Sequence, residues 1–197
     1  MCAAGLRTIS KAPQPDRREA KMIRVLRLAV LVTMLLSVAS FCTAQMQMPK
    51  PAPELKQYDY FVGSWKLDGD AKPSPMGPGG KMTMTEDVHW MQGGFFVVSH
   101  SKFSGAGMGE GYGVSVMGYD TDQKKYTYNE FNSFGEASKS TGTFDGKTWT
   151  WYGEDKMGKG KFVMNITSPN SYTFQYDMSQ DGTNWTTVMT GTATKVK

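Results

Sequence analysis

Cysteine is nearly absent from this 197-residue sequence, and its two examples, Cys2 and Cys42, both lie in the first quarter. From residue 45 onward there is therefore no disulfide, no thiol nucleophile and no thiolate metal ligand. Arginine is missing from that stretch as well. Seven of the 22 basic residues and two of the 18 acidic ones fall in residues 1–44, which leaves fifteen lysines against sixteen carboxylates. A near-neutral domain without a guanidinium fork lacks the usual grip on phosphates and guanines, so the overall charge of +4 is no sign of nucleic-acid binding. Histidine is scarce too, at His89 and His100 only. A Cys–His nucleophile is excluded beyond residue 44, and a Ser–His one is tightly constrained.

What is present begins with a leader. From Met22 the chain reads MIRVLRLAVLVTMLLSVASFCTAQ: a basic start at Arg24 and Arg27, an apolar run, then Cys42-Thr43-Ala44 as small residues at a cleavage position. That layout predicts a signal peptide over 22–44, with an apolar core too short for a membrane span. Residues 1–21, polar and carrying Pro13 and Pro15, read as a misassigned extension upstream of the true start. The mature protein is then periplasmic or secreted, with no membrane span left after cleavage. Residues 45–53 form a proline-bearing linker, and 54–197 the domain. At roughly 150 residues it is large enough to hold a core without disulfide staples.

Leu55, Tyr58 and Phe61 recur at helical spacing behind Pro53, predicting a short helix over 54–61. After Gly63, Thr, Tyr, Phe, Trp and Val dominate, with two-fold alternation and turn residues about every ten positions. The pattern predicts ten strands, near 63–71, 80–90, 94–104, 110–119, 125–132, 137–144, 147–154, 160–168, 171–179 and 184–195. Asp145-Gly146 between aromatic-rich runs is a strong hairpin signal. The stretches 71–79 and 104–109, rich in Pro and Gly, read as loops at one barrel mouth. Sequential hairpins without a crossover helix give an all-β, antiparallel up-and-down meander, and ten strands close into a barrel to remove their edges. One parity collects Met82, Met84, Val88 and Trp90, then Trp149 and Trp151, then Phe162, Phe174, Tyr176, Trp185 and Met189. This is the face expected inside the barrel. Parity leaves open whether that interior is packed or hollow.

The segment YFVGSWKLDGD around Gly63, Ser64 and Trp65 resembles the opening of calycin-type barrels: lipocalins, fatty-acid-binding proteins and nitrobindins. Together with GGFFVVSHSKFSG at 93–105 and GYDTDQKKYTYNEFNSFG at 118–135, the domain is more closely similar to DUF1579, a bacterial secreted, lipocalin-like family of unknown function. The resemblance implies a calycin-like barrel with Trp65 near its closed end, and it transfers no catalytic residue. It also has departures. Fatty-acid-binding proteins place two helices where 71–79 stands and hold carboxylates with arginines absent here. Nitrobindins carry haem on a histidine near the C-terminal end, where this chain has none.

Among candidate site residues, His89 lies on the polar parity and is expected to face solvent. His100 shares the parity of Phe96 and Val98, which points it inward, as a structural or a functional histidine. Glu86 falls with Met84 and Val88, and Glu130 with Tyr126 and Tyr128. Facing the lumen, the two acids would have raised pKa values and orient a polar ligand group or act as acid and base. The ordinary alternative, favoured because unpaired buried carboxylates are costly, is that a bulge turns one or both outward. Methionines such as Met82 and Met84 read as lining rather than as copper ligands. The glycines of SGAGMGEGYG lack the helix that a phosphate loop requires. No metal or cofactor is expected.

The residues point to an exported binding protein holding a small apolar or aromatic ligand among Trp90, Trp149, Trp151, Phe162, Phe174, Tyr176 and Trp185, with Glu86, Glu130 and His100 as its polar groups. The alternatives are an enzyme using Glu86, Glu130 or His100, and a structural or partner-binding barrel with a filled core. Neither an enzymatic activity nor an oligomeric state is legible. N-terminal sequencing of exported protein is expected to read from Gln45; a start upstream of Phe41 would reject the leader assignment.

Overall fold

The computed structural model describes residues 17–41, 49–75, 77–107 and 109–196. The expected cleavage point after Ala44, together with Cys2, Cys42, Met46, Met48 and Met108, lies outside the described residues. Two compact units divide at Pro49 and Lys50. The first contains helix α1, Arg17–Phe41, whose side chains at Met22, Ile23, Val25, Leu26 and Leu28 are exposed. Among the described residues no helix is long and apolar enough to cross a membrane, a statement that leaves β-barrel spans aside.

The second unit is a closed antiparallel barrel in which every strand pairs with its neighbours in sequence and the first with the last. Its strands are β1 Gly63–Ala71, β2 Gly80–Trp90, β3 Val97–Gly105, β4 Glu110–Asp120, β5 Lys125–Asn132, β6 Ala137–Phe144, β7 Thr148–Asp155, β8 Gly158–Ser168, β9 Ser171–Ser179 and β10 Thr186–Lys195. β1 closes the ring on β10 over Trp65↔Lys195 to Ala71↔Met189, so no strand edge is left to recruit another chain. Turns are set by aspartates whose side-chain oxygen accepts backbone N–H bonds two and three residues on. Asp120 takes Asp122 and Gln123, Asp145 takes Lys147 and Thr148, and Asp181 takes Thr183 and Asn184. In the Asp145 turn, Gly146 supplies the left-handed φ of 98° that the tight reversal needs.

The third strand begins three residues later than expected. Gly93 and Gly94 take φ values of 99° and 73°, and Met91 N–H bonds to the Phe96 carbonyl, so 91–96 is a tight turn. That turn resets the alternation. Val97, Ser99, Ser101 and Phe103 face inward, while Phe96 and His100 are exposed. His100 is therefore corrected to the outer surface, where its ring stacks on that of His89 at 5.6 Å.

One end of the barrel is plugged. A 3-10 helix, Pro53–Tyr60, lies across it and sends Leu55, Tyr58 and then Phe61 into the core. Tyr58 is fully buried, stacks on Trp149 at 5.3 Å and donates its hydroxyl to the Gly118 carbonyl at 3.1 Å. Tyr126 meets both rings edge-on and donates to the Glu54 carbonyl. Trp65 completes the layer. It donates its indole N–H to the Phe61 carbonyl at 2.7 Å, packs on Tyr172 and carries the Lys195 ammonium over its ring. Trp65→Ala removes a ring that is 1% exposed and leaves the Phe61 carbonyl without its donor. Denaturant melts should show a loss of about 3–5 kcal/mol, and a loss below about 1 kcal/mol would contradict this placement.

Candidate functional site

Above the plug layer the barrel changes character. At the plugged end Tyr58, Val97, Trp149 and Ala193 are 0% exposed. Towards the other end the filling is less complete: inward-facing Met84, Glu86, Ser101, Tyr128, Glu130, Phe162, Tyr176 and Met189 keep partial exposure, while Met82, Trp151, Phe174 and Met178 are buried among them. Side chains that point into a barrel and still touch solvent mark a less tightly filled half of the lumen, the cup. The connector residues 77–79 and 106–107 lie together at this end. Ala106 N–H bonds to the Lys81 carbonyl, and a side chain added at Gly107 would run into Pro78.

The wall of the cup has two faces. Strands β2 to β6 bring Glu86, Ser99, Ser101, Ser115, Tyr128, Glu130 and Ser140 inward, as the registers Glu86↔Ser101, Ser99↔Ser115, Ser115↔Glu130 and Tyr128↔Ser140 require. Strands β7 to β10 bring Trp151, Phe162, Phe174, Tyr176 and Met189. Glycines leave room for these rings: a side chain at Gly142 would collide with Trp151, and one at Gly160 with Tyr176. Trp151 meets Tyr128 at 5.7 Å where the two faces join.

Both carboxylates face the lumen, which corrects the expectation of a bulge. β2 and β5 pair with their neighbours without a register shift, and Glu130 Oε1 lies against the Gly113 backbone on the inside. Their environment is unfavourable to charge. Burial, and next the proximity of Glu130, push the Glu86 carboxyl up to about 7. Burial also raises Glu130, against a lowering contribution from the Tyr128 hydroxyl, which donates to Glu130 Oε2 at 3.3 Å. Burial and then the two carboxylates hold the Tyr128 phenol well above its usual range. Beside this group, Ser99 Oγ is buried on the inner face without a hydrogen-bond partner, an unmet polar atom facing the cup.

Of the ten residues singled out from sequence, Glu86, Glu130, Trp151, Phe162, Phe174 and Tyr176 meet in the cup. Trp149 forms its floor, stacked between Trp151 and the plug. Trp90 sits at the plugged end and donates its indole N–H to Asp59. Trp185 is corrected to the outer surface: it precedes β10, faces Tyr152 edge-on and lies under the Lys161 ammonium. There it borders a separate concavity of about 500 Å³ with Lys139, Thr141 and Glu154, on the outside of β5 to β8. Lys161 pairs with the buried Asp177 at 2.9 Å. Burial raises Asp177, but hydrogen bonds from Lys161, Thr187 and Gln175 outweigh that and lower its carboxyl overall. Sequence reasoning missed Tyr128, Ser99, Ser101 and Ser115. Tyr128 shares Glu130's parity, which was signal enough, whereas the β3 serines were hidden by the turn at 91–96.

The family described as "Protein of unknown function (DUF1579)" matches residues 50–195. The chain belongs to that family. No curated protein matches it in sequence. Among solved structures it resembles the S-type phycobiliprotein lyase CPES from Guillardia theta. That match has TM-score 0.51 and 11% identity, and it covers 72% of this chain and 92% of that one. It also resembles Rv2717c from M. tuberculosis, with TM-score 0.54, 11% identity and coverage of 75% and 100%. At such identity the likeness shows the calycin-like barrel and no activity.

The acid pair makes stability depend on pH. Glu86 holds its proton more tightly folded, near 7, than at its ordinary 4.5, so the folded state loses stability as pH rises through that window. Glu86→Gln in this DUF1579 protein should raise the melting temperature at about pH 8 and lose that advantage at about pH 4.5. An equal effect at both pH values would contradict the lumen placement.

Proposed function

We propose that this DUF1579 protein is exported and binds a small molecule with an aromatic or apolar body inside the barrel. One observation carries the reading: around Glu86, Tyr128, Glu130, Phe162 and Tyr176 the inward side chains keep partial exposure above a sealed floor, which suits a one-ended cup with an aromatic wall and a polar wall. Binding sites are usually of this kind, mostly apolar with a few placed polar groups. Export rests on the three-part leader, whose described apolar side chains from Met22 to Val32 stand exposed on α1. A barrel serving only as a partner-binding scaffold would have no need of two carboxylates on one inward wall.

An acid–base enzyme acting in the same cup is the second reading, favoured by one observation. Near neutral pH, Glu86 is poised between its protonated and ionised forms beside a second carboxyl. A group so poised is suited to proton transfer.

A neutral aromatic probe such as naphthalenemethanol should quench tryptophan fluorescence and stabilise the full chain by about 2.7 kcal/mol at roughly a hundredfold excess over its Kd. Trp151→Ala should weaken that binding, and Lys124→Ala or Lys125→Ala should leave it nearly unchanged. No binding by neutral, acidic or basic aromatics, with no shift in melting temperature, would overturn the reading.

A further inference from the structure

The charges in the cup are all of one sign. Every lysine of the described barrel points outward, lies in a connector, or caps the plugged end, as Lys195 does through the Tyr60 carbonyl. Lys66, Lys81, Lys102 and Lys161 are held on the outer surface by Asp68, Asp70, Glu110 and Asp177. The inward polar wall offers two carboxylates, hydroxyls and nothing cationic. Neighbouring carboxylates that are poorly solvated repel one another, and a cation placed between them removes that penalty. A ligand carboxylate would add a third negative charge to a site without a counter-charge.

We propose that the cup selects a ligand whose aromatic or apolar body ends in a protonated amine, seated between Glu86 and Glu130, with the body against Trp151, Phe162 and Phe174. This inference rests on the small-molecule reading above and names its ligand class. The unpartnered Ser99 Oγ on the same wall can accept one of the remaining N–H bonds of such a head group, while the Tyr128 hydroxyl stays bonded to Glu130 and Ser115. The titratable groups facing the pair are Tyr128 on β5 and Tyr172 and Tyr176 on β9. Asp155 and Glu136 add negative charge from the rim, acting on Tyr176 and Glu130 respectively. All three tyrosines are shifted upward, so among these groups it is Glu86 that changes charge near neutral pH. Amine binding must then strengthen as Glu86 ionises.

Three probes of one shape separate the possibilities: naphthalenemethylamine, naphthalenemethanol and naphthoic acid, titrated calorimetrically into the full chain. The amine should bind about tenfold or more tighter than the alcohol at about pH 8, lose most of that margin at about pH 5.5, and leave the acid weakest. Glu86→Gln and Glu130→Gln should each cost the amine about tenfold while moving the alcohol less than about twofold. The Glu86 variant is expected to be the more stable protein at high pH, and its melting temperature, read alongside, shows that it is folded. An alcohol that binds as well as the amine, or an acid that binds better, overturns the charge selection and leaves the cup standing. If none of the three binds, the cup reading falls and this inference with it.

Discussion

The stack of Tyr58 on Trp149 is the contact from which the rest of this barrel follows. A ten-stranded ring has two open ends, and a segment laid over one of them must bring enough apolar surface to stay there. The Pro53–Tyr60 helix does so with Leu55 and Tyr58, and with Phe61 just beyond it. Tyr58 also needs a partner for its hydroxyl, and the Gly118 carbonyl provides one at 3.1 Å. Because Trp65, Tyr126, Phe144 and Tyr172 pack against the same group of rings, the plug and the strand ends form one aromatic layer. That layer makes the lumen one-ended. Without it, Glu86 would face a water-filled tube and have no reason to hold a proton near neutrality.

The cup contains a local conflict that the fold tolerates. Two carboxylates share a poorly solvated wall, and both are pushed upward chiefly by burial. A sequence selected for stability alone would place an amide or an apolar residue at one of these positions. Groups kept in spite of their cost are characteristic of functional sites. The opposite wall, Trp151 to Met189, supplies apolar area without a compensating charge. The two walls together describe the ligand that would relieve the conflict.

Much of this was legible in the sequence, for identifiable reasons. The turns could be located because Asp120, Asp145 and Asp181 start them with their own side chains, a local signal that tertiary structure does not override. The inner face of β7 to β9 was readable because large apolar side chains alternate there with mostly polar ones such as Thr150, Lys161, Asn165, Thr173 and Gln175. The errors arose where alternation is interrupted. The Gly93–Gly94 turn reset the third strand and moved His100 outside, hiding Ser99 and Ser101. Trp185 followed its neighbours' parity but lies in the loop before β10, where alternation has no meaning. Glu86 and Glu130 had the inward parity, and the general cost of buried charge argued against taking it at face value. That cost is real, but it is met by protonation rather than by turning the side chain outward: burial raises both carboxyls, Glu86 to about 7.

The most direct test of the account is the electron density inside the barrel of the protein, crystallised with nothing added. The account predicts a continuous space bounded by Glu86, Tyr128, Trp151 and Tyr176, holding ordered water or a retained small molecule in contact with a carboxyl. Met84, Tyr176 and Met189 meeting across the lumen, with no density between them, would contradict it.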